Sequence, residues 1–153
     1  MYLTTYACIL PRSGSMSSTD RSPLQNTPVT ARIAARCNNR LGAVYSSLYA
    51  FWSSRQNVVN QSSSQQVPAR RDAYSVLLFD HEVITCLAND FTMSPDQLLN
   101  AVLAHTARGG TDYTSALKSA QTVMMTHWST ERCWLALCFF RRTNRSHFHE
   151  GPP

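Results

Sequence analysis

The sequence predicts an α/β fold: an open, mostly parallel, doubly wound sheet with one antiparallel hairpin strand and helices on both faces. Three observations carry this prediction. Ala7–Leu10, Ala73–Phe79 and Cys133–Phe140 are near-continuous apolar runs, as expected of strands covered on both faces. Segments with helical periodicity lie between them, and such alternation indicates a parallel sheet between helix layers. Finally, Asp80-His81-Glu82 is too short to join parallel strands, so Val83–Leu87 must return as an antiparallel hairpin strand.

Taken in order, the first strand runs into Pro11-Arg12-Ser13-Gly14-Ser15-Met16. Alternation along an extended segment aims positions 11, 13 and 15 the same way, which would bring two hydroxyls to one point. Residues 17–30 carry loop chemistry with Pro23 and Pro28. Ile33, Cys37, Leu41, Val44, Leu48 and Phe51 then recur at helical spacing, with Thr30 as the expected cap and the pattern fading near Arg55. Residues 56–68 are polar and of low complexity and read as a surface loop.

Ser94-Pro95-Asp96-Gln97 is a capping box with proline at the first helical position, and Leu98, Leu99, Val102 and Leu103 supply the apolar face. Arg108-Gly109-Gly110 is expected to stop this helix. Thr111 and Asp112 are expected to cap the next one, with Leu117, Ala120, Val123, Met124 and Trp128 inward. The last strand should lie beside the first, on the side away from the second. Strand order then reverses at Pro11–Met16, the place where open α/β sheets bind ligands.

The 153 residues suffice for one domain. The net charge of +5 comes from dispersed arginines with Lys118 the only lysine, which reads as a solvated surface and not a nucleic-acid footprint. Five cysteines without tight spacing argue against a disulfide framework and against zinc, favouring a reducing, intracellular compartment. Two N-x-S sequons, at Asn60 and Asn144, would matter only after secretion. The N-terminus lacks a basic region ahead of its apolar run, and no stretch approaches the length of a membrane span, so no membrane partner is expected.

Three motifs in order resemble the von Willebrand factor type A (vWA) family: the strand ending in Ser13-Gly14-Ser15-Met16, the hairpin Val76–Asp80 with Val83-Ile84-Thr85, and Gly109-Gly110-Thr111-Asp112 opening a helix through Ala116-Leu117. The resemblance implies a non-catalytic domain that binds an as yet unknown protein partner. It also implies a metal-ion-dependent adhesion site in which Ser13, Ser15 and Thr111 would be hydroxyl ligands of Mg²⁺. Two anionic ligands of the family pattern are missing. Pro11 replaces the first aspartate, and Arg141-Arg142-Thr143-Asn144 stands where the last would follow the fourth strand. Neutral hydroxyls offset little of the dehydration cost of a divalent ion, so the site is expected to be degenerate and without cofactor. Mg²⁺ would bind only if Asp112 or Asp80 substituted; their ordinary roles are a helix cap and a turn.

The family pattern continues beyond the fourth strand, so residues 1–140 are read as a partial domain and 141–153 as a disordered tail. A truncated product without function is the corresponding alternative. Two rival chemistries remain. Ser13 or Ser15 as a nucleophile with His81 or His105 lacks the G-x-S-x-G elbow, and no enzyme is expected. The loop Arg12-Ser13-Gly14-Ser15 has the makings of an anion or phosphate nest, although its spacing is not that of a Walker loop. His147 and His149 lie on the tail and read as exposed.

Overall fold

A computed structural model describes residues 2–63, 70–127 and 133–137. Four strands, β1 (Tyr2–Pro11), β2 (Arg70–Phe79), β3 (Val83–Asp90) and β4 (Cys133–Leu137), form one sheet in the order β3-β2-β1-β4. β1 pairs in parallel with both β2 and β4, and β3 returns antiparallel to β2. The order therefore reverses at β1, as the sequence predicts. Pro11 closes that strand opposite Phe79, a terminal position where its missing N–H disturbs no interior ladder.

The two-residue period of the strands divides the core into two. Cys8, Leu10, Val76 and Leu78 pack under three helices, α1 (Thr30–Ala34), α2 (Arg40–Ser63) and α3 (Pro95–Leu103). Ile9, Leu77 and Phe79 face α4 (Tyr113–His127) through Ala116 and Ala120, small residues that let helix and sheet approach closely. Because β3 descends, α3 climbs back and α4 descends on the opposite face. The loop joining them crosses the carboxyl end of β1 and β2.

Several expectations are corrected. The helix foreseen from residue 30 onward is two helices, because Asn39 caps α2 and interrupts the run: its side chain accepts from the Gly42 N–H at 3.2 Å and its carbonyl from Ala43 at 3.0 Å. Thr30 is not a cap; its hydroxyl donates to the Leu24 carbonyl at 2.7 Å. Gln56–Ser63 continues α2 where a loop is foreseen; losing an apolar stripe does not stop a helix already nucleated. The capping box at Ser94 forms as read, but α3 ends at Leu103, well before Gly109. On α4 it is Ala116 that faces the sheet, and Leu117 is left 48% exposed. Trp128, Cys138–Phe140, Arg141, Arg142 and the tail lie outside the described residues.

Candidate functional site

The carboxyl ends of β1 and β2 and the α3–α4 loop are stitched together by backbone hydrogen bonds. The Arg12 N–H donates to Phe79 (2.8 Å), Arg108 to the carbonyl of Arg12 (2.7 Å), Gly14 to Gly109 (2.9 Å) and Asp112 to Asp80 (2.6 Å). Gly109 adopts φ +68°, a conformation glycine takes without penalty, and this lets the loop turn over the strand ends.

Ser13 and Ser15 do converge, their hydroxyls 3.2 Å apart. They meet through a 3₁₀ turn, Gly14–Ser17, and not through extended alternation. Ser13 is buried and Ser15 exposed; the Gly14–Gly109 hydrogen bond holds the loop carrying exposed Thr111 beside them. The N–H groups of Arg12, Gly14 and Met16 are engaged by carbonyls within the protein and are not offered to an anion. Among the described residues no histidine hydrogen-bonds either serine.

Asp112 takes the cap position on α4. Its carboxylate accepts from the Ser115 N–H (3.1 Å) and hydroxyl (2.6 Å), and these two bonds hold it below the ordinary carboxylate pKa. Asp80 is more heavily committed. One oxygen accepts from the Glu82 N–H at 2.7 Å and lies 3.2 Å from His81 Nδ1. The other lies 2.9 Å from Arg12 Nη2 and 3.3 Å from Arg108 Nε, and Arg108 Nη2 reaches Glu82 at 3.1 Å. Burial pushes the Asp80 carboxyl up, but the Glu82 N–H and the two arginines outweigh it and leave the group below its usual value.

Sequence reasoning places Arg12 in an anion-binding loop; what it misses is that the side chain turns inward to pair with Asp80. Arg12 prolongs the Cys8–Leu10 row onto the face covered by α2 and α3, and its side chain is only 4% exposed. Its charge is felt by Tyr45, Cys86 and His105. The Tyr45 hydroxyl donates to the His105 carbonyl at 3.1 Å, and burial raises the Tyr45 pKa and pushes the Cys86 thiol up to about 11. His105 is lowered, first by burial and then by Arg12 and Arg108. Although Arg12 Nη2 is close to Asp80, it is poorly aligned for a hydrogen bond, and Nε has no acceptor.

Among the described residues no helix is long and apolar enough to cross a membrane. No family model and no curated protein sequence matches the chain. Several solved structures are similar to it, three of which follow. The vWF domain of the type V pili tip protein Mfa5 from Porphyromonas gingivalis is 20% identical over 86% of this chain and 36% of that one, with a TM-score of 0.51. An uncharacterized membrane spanning protein from Vibrio fischeri is 16% identical over 85% and 53%, at 0.49. The SpRpn10 VWA domain is 12% identical over 87% and 57%, at 0.48. The chain thus spans between about a third and little more than half the length of these three. At such identities the likeness is one of fold, and with its reversal point at β1 this chain has a von Willebrand factor type A-like fold.

Proposed function

We propose that this chain is a non-catalytic protein-interaction module that presents the loop rim at the carboxyl end of its sheet to a protein partner without a metal ion. The observation that carries the reading is the buried Arg12–Asp80 pair, a cation already seated against one of the two carboxylates that could substitute in a metal site. The donor set does not suit Mg²⁺. Pro11 offers no side-chain oxygen, Ser13, Ser15 and Thr111 offer neutral hydroxyls, and the carboxylates of Asp80 and Asp112 are engaged elsewhere. A hard divalent cation needs anionic oxygens to offset its dehydration, and a guanidinium at 2.9 Å from the nearest carboxylate opposes it. The rim itself is suited to contact. Thr111, Gly110 and Ser15 are exposed on a frame fixed by backbone hydrogen bonds, and Tyr113 and Leu117 add half-exposed apolar surface beside them.

Photo-crosslinking tests this. A crosslinking amino acid at Thr111 or Ser15 is expected to capture a discrete protein in the native host, in the presence and absence of chelator, whereas one at Ser47 on the outer side of α2 captures none. Capture that requires Mg²⁺, together with calorimetric Mg²⁺ binding lost in Ser13→Ala, would overturn the metal-free part. Equal labelling from Ser47 would overturn the rim.

A further inference from the structure

We infer that Arg12 acts as a resident cation that clamps the three rim loops around Asp80, doing from within the chain the cross-linking that a bound ion would do from outside. This inference rests on the metal-free reading of the rim. The charged residues are also the nodes of the backbone net: Arg12 accepts from Arg108 and donates to Phe79, while Asp80 accepts from Asp112. Arg108, half exposed, closes the assembly from the solvent side by reaching both Asp80 and Glu82. Asp80 belongs to the β2–β3 turn, Arg12 to the end of β1 and Arg108 to the α3–α4 loop, so one carboxylate ties together three chain segments far apart in sequence.

The alignment of the pair supports a positioning role over a stabilising one. A buried ion pair offsets its desolvation only when the remaining donors are satisfied. Here Arg12 Nε and Nη2 are buried without an aligned acceptor, so the pair is a poor source of stability. What it does supply is a fixed position: an arginine continuing a core row can be accommodated at that end of the sheet only with Asp80 beside it, and that holds the turn and the crossing loop in one register.

Amide hydrogen exchange on the full chain tests the clamp, with wild type, Arg108→Ala, Arg12→Met and the apolar double variant Arg12→Met/Asp80→Leu. In wild type the amides of Gly14, Arg108 and Asp112 are expected to be protected, equally with Mg²⁺ and with chelator. In Arg108→Ala their exchange should rise several-fold, and in the double variant by about tenfold or more, while Leu77 and Leu78 in β2 keep their protection. Should the single Arg12 variant not fold, the double variant and the exposed Arg108→Ala still decide. Unchanged rim protection in both would overturn the clamp and leave the metal-free module standing. Rim protection in wild type that increases with Mg²⁺ would instead overturn the metal-free reading on which the clamp rests.

Discussion

Arg12 Nη2 and Asp80 Oδ2 lie 2.9 Å apart beneath the rim, with side chains 4% and 0% exposed. The contact follows from strand register. β1 and β2 pair in parallel with Pro11 opposite Phe79, so the next residue of each strand, Arg12 and Asp80, leaves the sheet beside the other. A charge cannot be buried there alone, and each residue is the other's reason for being tolerated.

Breaking the pair on one side should therefore be severe. Asp80→Asn leaves the Arg12 guanidinium buried without its counter-charge and is expected to destabilise the fold by about 3–5 kcal/mol. Arg12→Met/Asp80→Leu should recover most of that loss, since replacing both members of a poorly aligned pair removes the desolvation penalty along with the attraction. Urea unfolding followed by tryptophan fluorescence measures both. A single variant as stable as wild type would mean that the pair is solvated.

His105 gives the stability a pH dependence. Burial and the two nearby arginines lower its pKa in the folded state below the ordinary value of 6.5. In the window between the two values the unfolded chain binds more protons than the folded one, so stability falls as pH drops through it. His105→Gln is expected to flatten the curve below about pH 6.5 and leave stability at pH 8 nearly unchanged. Unfolding midpoints measured at a series of pH values give the slope directly, and an unaltered slope in the variant would assign the effect to another group.

The architecture was legible in the sequence wherever a local pattern had a single solution. The capping box at Ser94 and the hairpin at Asp80–Glu82 each determine backbone without outside help, and both form. The break between α1 and α2 was hidden because Ile33, Cys37 and Leu41 keep helical spacing across it, while Asn38-Asn39 turns the chain. Leu117 reads as inward from sequence because it is more apolar than Ala116, yet close packing against Ile9 and Phe79 selects the smaller side chain. At the site, the serines and Thr111 stood out as residue types. The role of Arg12 emerges only once its parity with Leu10 and its register with Asp80 are taken together, a long-range fact that no local motif encodes.

Gly42 is a glycine in the first turn of α2 that should not be replaced. In an exposed helix, alanine would gain about 1 kcal/mol over glycine. Here a Cβ would collide with the carbonyl of Cys37, backbone that cannot swing aside, where α2 turns away from α1. Gly42→Ala is expected to destabilise by about 1–3 kcal/mol, the usual cost of overpacking. Gly109→Ala should also destabilise, through its φ of +68° and its closeness to the imidazole of His81. Because that imidazole is well exposed it can move away, so the cost of Gly109→Ala should fall largely on backbone conformation, about 1–2 kcal/mol. Thermal unfolding of the two variants compares them, and a stabilised Gly42→Ala would show that the α1–α2 corner opens readily.

Asp112 separates a cap from a metal ligand. Both of its carboxylate oxygens accept from Ser115 in the first turn of α4, so its value to the fold lies in satisfying an otherwise orphaned N–H and in placing negative charge at the helix start. Asparagine retains the acceptor and alanine does not. Asp112→Asn is thus expected to stay within a few tenths of a kcal/mol of wild type, while Asp112→Ala loses about 1 kcal/mol. A carboxylate serving a cation would rank the variants differently: asparagine and alanine would both abolish any Mg²⁺-dependent rise in melting temperature. Melting curves with Mg²⁺ and with chelator distinguish the two, and a Mg²⁺-dependent shift in wild type that Asp112→Asn removes would make Asp112 a ligand rather than a cap.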